Sequence, residues 1–72
     1  EIFRQLFMTI DSLPERCKQV FLLHMEGKKN EEIAAALYVS LETVKTQKKR
    51  AMSFLRKKLG SYHFALLLSI LP

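Results

Sequence analysis

The amino-acid sequence predicts an all-α fold, a compact bundle of four to five helices that contains a helix-turn-helix. Apolar residues recur every three or four positions along most of the chain, the spacing that places them on one face of a helix. Only two glycines and two prolines occur among the 72 residues, so long helices can form without interruption. Residues 30–50 read as two helical segments separated by a break at Tyr38-Val39-Ser40, which is the layout of a helix-turn-helix.

Two amphipathic helices are expected before this motif. The second of them starts near Ser12 and Glu15, which have the spacing of a capping box. It runs to about Glu26, and Gly27 ends it, as glycine commonly does just past a helix. The first helix covers residues 2–11, and its apolar face consists of Ile2, Phe3, Leu6, Phe7 and Ile10.

The third and fourth predicted helices form the helix-turn-helix itself. Asn30 is a good N-cap for the third helix, which stops at Leu37 or Tyr38. Ser40 caps the fourth helix, which continues to Leu59.

The fourth helix separates an apolar stripe from a polar one when it is projected at about 100° per residue. Lys48 is the exception, because it falls inside the apolar stripe. Its stem could lie along the core edge while its ammonium group reaches water or a phosphate. The apolar stripe holds Val44, Ala51, Leu55 and Leu59. The polar stripe holds Lys45, Thr46, Lys49, Arg50, Ser53, Arg56 and Lys57.

The chain divides into a helix-turn-helix domain at residues 1–60 and an apolar C-terminal tail at residues 61–72. Gly60 ends the fourth helix, and the tail reads SYHFALLLSILP. The tail is predicted either to form an extra helix over the core or to be an exposed contact surface. Its apolar run is far shorter than the roughly 20 residues of a membrane span, so no span is predicted. Because the sequence starts with Glu1, we expect it to be a fragment of a longer protein.

The positive charge of the chain is concentrated in its second half. Residues 1–40 carry five cations and six anions, a net charge of −1, whereas residues 41–72 carry seven cations and one anion, a net charge of +6. A helix charged with one sign favours a polyanionic partner, because a merely solvated helix usually mixes both signs. Charge alone does not distinguish DNA, RNA and an anionic membrane.

No residue pattern indicates catalysis, a cofactor or a metal site. The single cysteine, Cys17, cannot form an internal disulfide or a zinc cluster, which fits a reducing cytoplasm. We expect Cys17 to be a small packing residue, His24 to lie at the edge of the core and His63 to be a lone histidine in the tail. With no triad, metal cluster or glycine-rich phosphate loop, the chain is predicted not to be an enzyme.

An ordered set of residues gives the chain a family resemblance. The set comprises Leu13-Pro14 with Arg16, Val20-Phe21, Gly27, Glu32-Ile33-Ala34, Leu37, Val39-Ser40, Thr43-Val44-Lys45 and Arg56-Lys57-Lys58-Leu59. It resembles region 4, the promoter-binding C-terminal region of bacterial sigma factors, and is most similar to the extracytoplasmic-function type. The resemblance covers roughly Ile2 to Gly60.

The resemblance implies a function in transcription initiation. A domain of this kind would bind the minus-35 element of double-stranded promoter DNA through the major groove while its parent protein is bound to RNA polymerase. It would also dock on the flap of the polymerase β subunit. An anti-sigma factor could cover the apolar tail if the tail is exposed. Two features depart from the family pattern: Tyr38 stands where many helix-turn-helix proteins have glycine, and Lys48 replaces a residue that is usually apolar.

The resemblance also assigns roles to residues of the fourth helix. Lysine and arginine favour the O6 and N7 acceptors of guanine, and threonine can donate, accept or pack on a thymine methyl group. The base-reading positions implied by the family are Lys45, Thr46, Lys49 and Arg50. The positions implied to contact the DNA backbone are Thr43, Gln47 and Lys48.

Two other functions stay open from the sequence. The first is a DNA-binding output domain of a LuxR-type regulator, which shares the Gly-x-x-Asn-x-Glu-Ile-Ala run and the Thr-Val-Lys triplet. A full amphipathic helix before Leu13 and the long basic extension after Arg50 weigh against it. The second is a protein-interaction module that uses the apolar tail, with the basic helix only improving solubility.

Overall fold

The computed structural model describes residues 2–71, with their side chains from residue 3 onward. Four helices follow one another in this part of the chain, and it contains no strand. The helices are α1 (Ile2–Asp11), α2 (Glu15–Met25), α3 (Asn30–Leu37) and α4 (Leu41–Ile70). The prediction of an all-α bundle with a helix-turn-helix is therefore confirmed. The side chain of Ile2, which was predicted to face inward, lies outside the described part of the structure. So does the last residue of the tail, Pro72.

Helix α4 is kinked at Gly60, whose backbone angles (φ 79°, ψ 168°) are not helical. The kink divides α4 into an N-terminal arm, residues 41–59, and a C-terminal arm, residues 61–70. The prediction that Gly60 ends the basic helix is correct for the N-terminal arm. The chain then continues as a helix through the apolar tail.

The core consists of two clusters of buried side chains on the inner face of α4. The larger cluster joins α1, α2 and both arms of α4, and the smaller one joins α2, α3 and the start of α4. Burying one large aliphatic or aromatic side chain contributes roughly 1.5–3 kcal/mol, so these clusters hold the four helices together. The larger cluster contains Leu6, Ile10, Leu13, Cys17, Phe21, Ala51, Leu55, Phe64 and Leu67. The smaller cluster contains Val20, Ile33 and Val44.

The C-terminal arm is packed against the rest of the bundle. Leu67 is fully buried and Phe64 is 7% exposed, and both side chains belong to the larger core cluster. Tyr62, Leu68 and Ile70 remain exposed on the outer side of the same arm. The tail thus forms helix over the core while keeping an apolar outer face.

Two of the predicted helix caps are confirmed. Ser40 accepts a hydrogen bond from the Thr43 backbone N–H at 3.1 Å, which caps α4 as expected. Gly27 follows α2 with a positive φ of 89°, which closes that helix. The Lys28 N–H then donates to the Leu23 carbonyl at 3.2 Å, the bond expected where glycine terminates a helix.

The capping box predicted for α2 is wrong. The N-cap of α2 is Pro14, and no side chain caps the helix. The Ser12 hydroxyl instead donates to the Thr9 carbonyl at 2.7 Å, so it serves the last turn of α1. The reason is position: α2 starts at Glu15, which leaves Ser12 two residues before the cap.

The prediction that Asn30 is the N-cap of α3 is wrong. Asn30 is the first residue of the helix. Lys29 occupies the cap with an extended backbone (φ −78°, ψ 159°). Its N–H donates to Glu32 Oε1 at 2.7 Å, which satisfies one donor at the start of the helix. The Asn30 amide oxygen accepts from Lys48 Nζ at 3.0 Å, so this side chain is directed to α4.

Candidate nucleic-acid interface

The turn between α3 and α4 depends on a left-handed residue. Tyr38 adopts φ 57° and ψ 44°, the conformation that ends many helices. The next N–H, that of Val39, donates back to the Ala34 carbonyl at 3.0 Å. Ser40 then caps α4 at once, so only three residues separate α3 from α4.

The start of α4 packs against α2 and α3 through the smaller core cluster. Val44 on α4, Ile33 on α3 and Val20 on α2 are all fully buried. Because Val44 faces inward, the residues about half a turn away around the helix, such as Thr46, face solvent. Three helices thus fix the direction in which this part of α4 presents its polar side chains.

The four predicted base-reading residues lie together on that outer surface. Lys45, Thr46, Lys49 and Arg50 are all exposed. Three of them, with Glu42, line one shallow groove along the helix. Their roles in base contact stay a prediction, and the structure shows that the four side chains are accessible on one face.

The three residues predicted to contact the DNA backbone have partners within the domain. Gln47 Oε1 accepts from the Cys17 thiol at 2.9 Å. The Thr43 hydroxyl shares a hydrogen bond with the Ser40 hydroxyl at 2.9 Å. Lys48 is half-buried and donates to Asn30. Thr43 therefore stays at the start of the helix, whereas Gln47 and Lys48 point toward α2 and α3.

The partner of Lys48 explains why a lysine lies in the apolar stripe. Its Nζ atom reaches the Asn30 amide 18 residues earlier, which links the middle of α4 to the first residue of α3. Asn30 was missed as a partner because its residue type suggested an N-cap. The misfit of Lys48 in the projection was the signal that a polar group lay opposite it.

His24 lies at the edge of the core, as predicted. It is half-buried, and its ring centroid is 6.4 Å from that of Phe21. Partial burial lowers the pKa of His24 below its usual value, and the nearby Lys48 ammonium group lowers it further. Both effects favour the neutral imidazole beside the helix-turn-helix.

The positive charge of α4 is not neutralised by carboxylates of the bundle. Among the described side chains, the salt bridge joins Asp11 and Lys18 at 2.6 Å, on α1 and α2, and no cation of α4 has a carboxylate oxygen within 4.0 Å. Two of these cations lie over aromatic rings instead: Arg56 over Phe64 and Lys58 over Phe54. An unpaired cationic helix suits a polyanion such as DNA.

The described residues offer no metal site, since no three His, Cys, Asp or Glu side chains among them are grouped to hold an ion. None of the four helices, within residues 2–71, combines the length and the apolar character that crossing a membrane requires.

The match to a known family agrees with this geometry. No curated protein and no solved structure matches the chain. The family model described as "Sigma-70, region 4" matches residues 3–55, which cover α1 from its second residue, α2, α3 and the first half of α4. This is a family of DNA-binding regulatory domains and not of enzymes, and the match favours it over the LuxR-type alternative. Because the match covers well over half of its residues, the chain belongs to the sigma-70 region 4 family.

Proposed function

We propose that this domain recognises the minus-35 element of promoter DNA for RNA polymerase, with the N-terminal arm of α4 in the major groove. The observation that carries the proposal is the exposed set Lys45, Thr46, Lys49 and Arg50. These side chains follow directly on the helix-turn-helix turn in a chain of the sigma-70 region 4 family.

The dimensions of the helix support this placement. An α-helix with its side chains is about 10–12 Å across, and the major groove of B-DNA is about 12 Å wide. Lys45 and Arg50 are five residues apart, which is about 7.5 Å along the axis. The four side chains can therefore face a few consecutive base pairs.

The chemistry of the four residues suits base recognition. Lys45, Lys49 and Arg50 can donate to guanine O6 and N7, and Arg50 can do so with two N–H groups at once. Thr46 can exchange a hydrogen bond with a base or pack its methyl group on thymine. Each good contact discriminates against a wrong base by roughly 1–3 kcal/mol.

Contacts with the DNA backbone are proposed for Thr43, Gln47 and Lys48. Thr43 lies at the N-terminus of α4, where N–H groups and the helix dipole also attract a phosphate. Hydrogen bonds to Cys17 and Asn30 direct Gln47 and Lys48 toward the bundle, so each side chain would have to turn outward to donate an N–H to a phosphate oxygen. We therefore expect Thr43 to contribute most of the three.

Docking on the β flap of RNA polymerase is the second part of the proposal. Three large apolar side chains of α1, Phe3, Phe7 and Met8, are each more than half exposed, and Leu22 of α2 is 41% exposed. Phe7, Met8 and Leu22 line one groove between α1 and α2. Exposed apolar side chains grouped in this way on a small domain commonly mark a protein interface.

The test of base reading is Arg50→Ala. A preferred duplex is first selected from a random library with the 72-residue chain, and dissociation constants are measured on it and on a scrambled duplex. We expect the variant to lose about 1–3 kcal/mol on the selected duplex and much less on the scrambled one, because a base contact exists only on the correct sequence.

The matched control is Arg16→Ala, which removes the same charge from an exposed position of α2. It should change binding to both duplexes slightly and equally. If Arg50→Ala weakened both duplexes to the same extent, Arg50 would not read a base.

A further inference from the structure

The C-terminal arm of α4 contributes buried side chains to the larger core cluster although it lies beyond the part that matches the family. The match ends at residue 55, whereas Phe64 and Leu67 are buried in the same cluster as Leu6 and Leu55. The arm packs back beside the end of the basic N-terminal arm. Nothing in the family match gives this arm a part in binding.

Arg56 is the residue where the two arms meet at the surface. Its guanidinium carbon lies 5.2 Å from the centroid of the Phe64 ring. Arg56 is exposed, whereas the ring beneath it is 7% exposed. A guanidinium group on an aromatic face is held by the cation–π interaction, while the N–H donors at its edge remain able to bind an oxyanion.

Arg56 lies on the same side of the helix as two of the proposed base-reading residues, Lys45 and Lys49. At about 100° per residue, Lys45, Lys49 and Arg56 lie within about 40° of one another around the helix. Arg56 is seven residues beyond Lys49, about 10.5 Å further along the axis. A surface depression between the two cations is lined by Lys49, Met52, Ser53, Arg56 and Phe64.

The distance along the helix decides what Arg56 can reach. The major groove is about 8.5 Å deep, so a straight helix that places its first two turns at the base edges leaves the groove further on. A cation about 16.5 Å from Lys45 along the axis then lies beside the phosphates that border the groove. A phosphate needs only charge and N–H donors, which Arg56 supplies.

We propose that Arg56, positioned by Phe64, binds a DNA phosphate outside the base-reading part of α4. The C-terminal arm thereby contributes to affinity for DNA without contributing to sequence recognition. This inference depends on the proposed binding of α4 in the major groove.

The first test is the salt dependence of binding by Arg56→Ala in the full 72-residue chain. The logarithm of the association constant falls linearly with the logarithm of salt concentration, with a slope of about −0.9 per phosphate contacted. We expect Arg56→Ala to make this slope shallower by about 0.9. It should also weaken binding to the selected and scrambled duplexes by the same factor.

The matched control is Lys58→Ala. Lys58 also lies over an aromatic ring, 5.7 Å from the centroid of Phe54. It lies about 200° around the helix from Arg56, away from the proposed DNA face. Its removal deletes the same charge and should change the slope much less. Equal changes in the two variants would overturn the proposed contact of Arg56.

The role of Phe64 is tested by Phe64→Leu in two backgrounds. Leucine keeps an apolar side chain in the core but removes the ring face, so binding to both duplexes should weaken by about two- to five-fold. In the Arg56→Ala background the same substitution should have no further effect. An equal loss in both backgrounds would show that Phe64 does not act through Arg56.

Arg56→Lys provides a readout that does not depend on how well the core tolerates leucine. Lysine keeps the charge and should keep the salt slope, but it lacks the planar group that stacks on the ring. Binding should weaken by a few-fold at every salt concentration, and an unchanged affinity would overturn the positioning by Phe64.

If the unaltered chain preferred no duplex, the proposed promoter recognition would fail first. A steep salt slope with normal site preference but no effect of Arg56→Ala would refute this inference alone.

Discussion

Tyr38 combines a left-handed backbone conformation with a side chain that packs against almost nothing. Its φ and ψ are 57° and 44°, and its side chain is 95% exposed. For a residue with a Cβ atom this conformation costs roughly 1–2 kcal/mol, whereas glycine adopts it readily. Tyrosine in place of glycine at this turn therefore lowers the stability of the folded state through backbone strain.

We expect Tyr38→Gly to raise the free energy of unfolding by up to about 1 kcal/mol. The gain is smaller than the strain removed, because glycine also loses more backbone entropy on folding. Urea denaturation followed by circular dichroism measures the change. Tyr62→Gly is the control: Tyr62 is exposed within the helical C-terminal arm, so glycine there should destabilise the domain by about 1 kcal/mol. Losses of the same size at both positions would contradict the proposed strain at Tyr38.

At the scale of the element, the kink in α4 depends on Gly60. Its combination of φ 79° and ψ 168° is a backbone region occupied almost only by glycine. A Cβ atom added at Gly60 would meet no atom of a packed neighbour within 4 Å, so a substitution would be opposed by the local backbone conformation alone. One residue therefore sets the angle at which the C-terminal arm returns to the core.

We expect Gly60→Ala to lower the free energy of unfolding by about 1–3 kcal/mol. Either alanine retains the strained kink, or α4 straightens and Phe64 and Leu67 leave the core. Urea denaturation measures the loss, and the chemical shifts of the Phe64 ring report the position of the arm. Ser61→Ala, one residue later and exposed in a helix, should be nearly neutral. An unchanged stability of Gly60→Ala would mean that the kink has a different backbone geometry.

The whole molecule relies on its last ten helical residues for part of a small core. A 72-residue domain is stabilised by only about 5–10 kcal/mol in total. Leu67 is fully buried in the larger cluster, whereas its neighbour Leu68 is 47% exposed. The division of the chain into a domain at residues 1–60 and a tail at residues 61–72 can therefore be tested through stability.

We expect Leu67→Ala to cost about 2–5 kcal/mol, because it leaves a cavity among packed helices. Leu68→Ala, the same change on the exposed side of the arm, should cost less than about 1 kcal/mol. Thermal and urea unfolding of both variants provide the comparison. Nearly equal and small losses would show that residues 61–72 are a tail independent of the folding unit. A large loss confined to Leu67→Ala would show that they are part of it.

Local sequence patterns were enough to predict the helices, the position of the turn and the polar face of α4. These features are local: the period of about 3.6 residues, the cap at Ser40 and the glycine after α2 act over a few neighbouring positions. The exposure of Lys45, Thr46, Lys49 and Arg50 followed from that period once the apolar stripe was known.

The contacts between distant groups could not be predicted from these local patterns. Asn30 was expected to cap α3, but its amide is bound by Lys48, 18 residues away. Gln47 faces Cys17, 30 residues away, and Arg56 lies over a ring from the returning arm. Helical periodicity tells which side of one helix a residue occupies, but not which group of another helix lies opposite. That choice depends on how all the apolar faces pack together at once. For Arg56 and Phe64 it also depends on the backbone angles of Gly60.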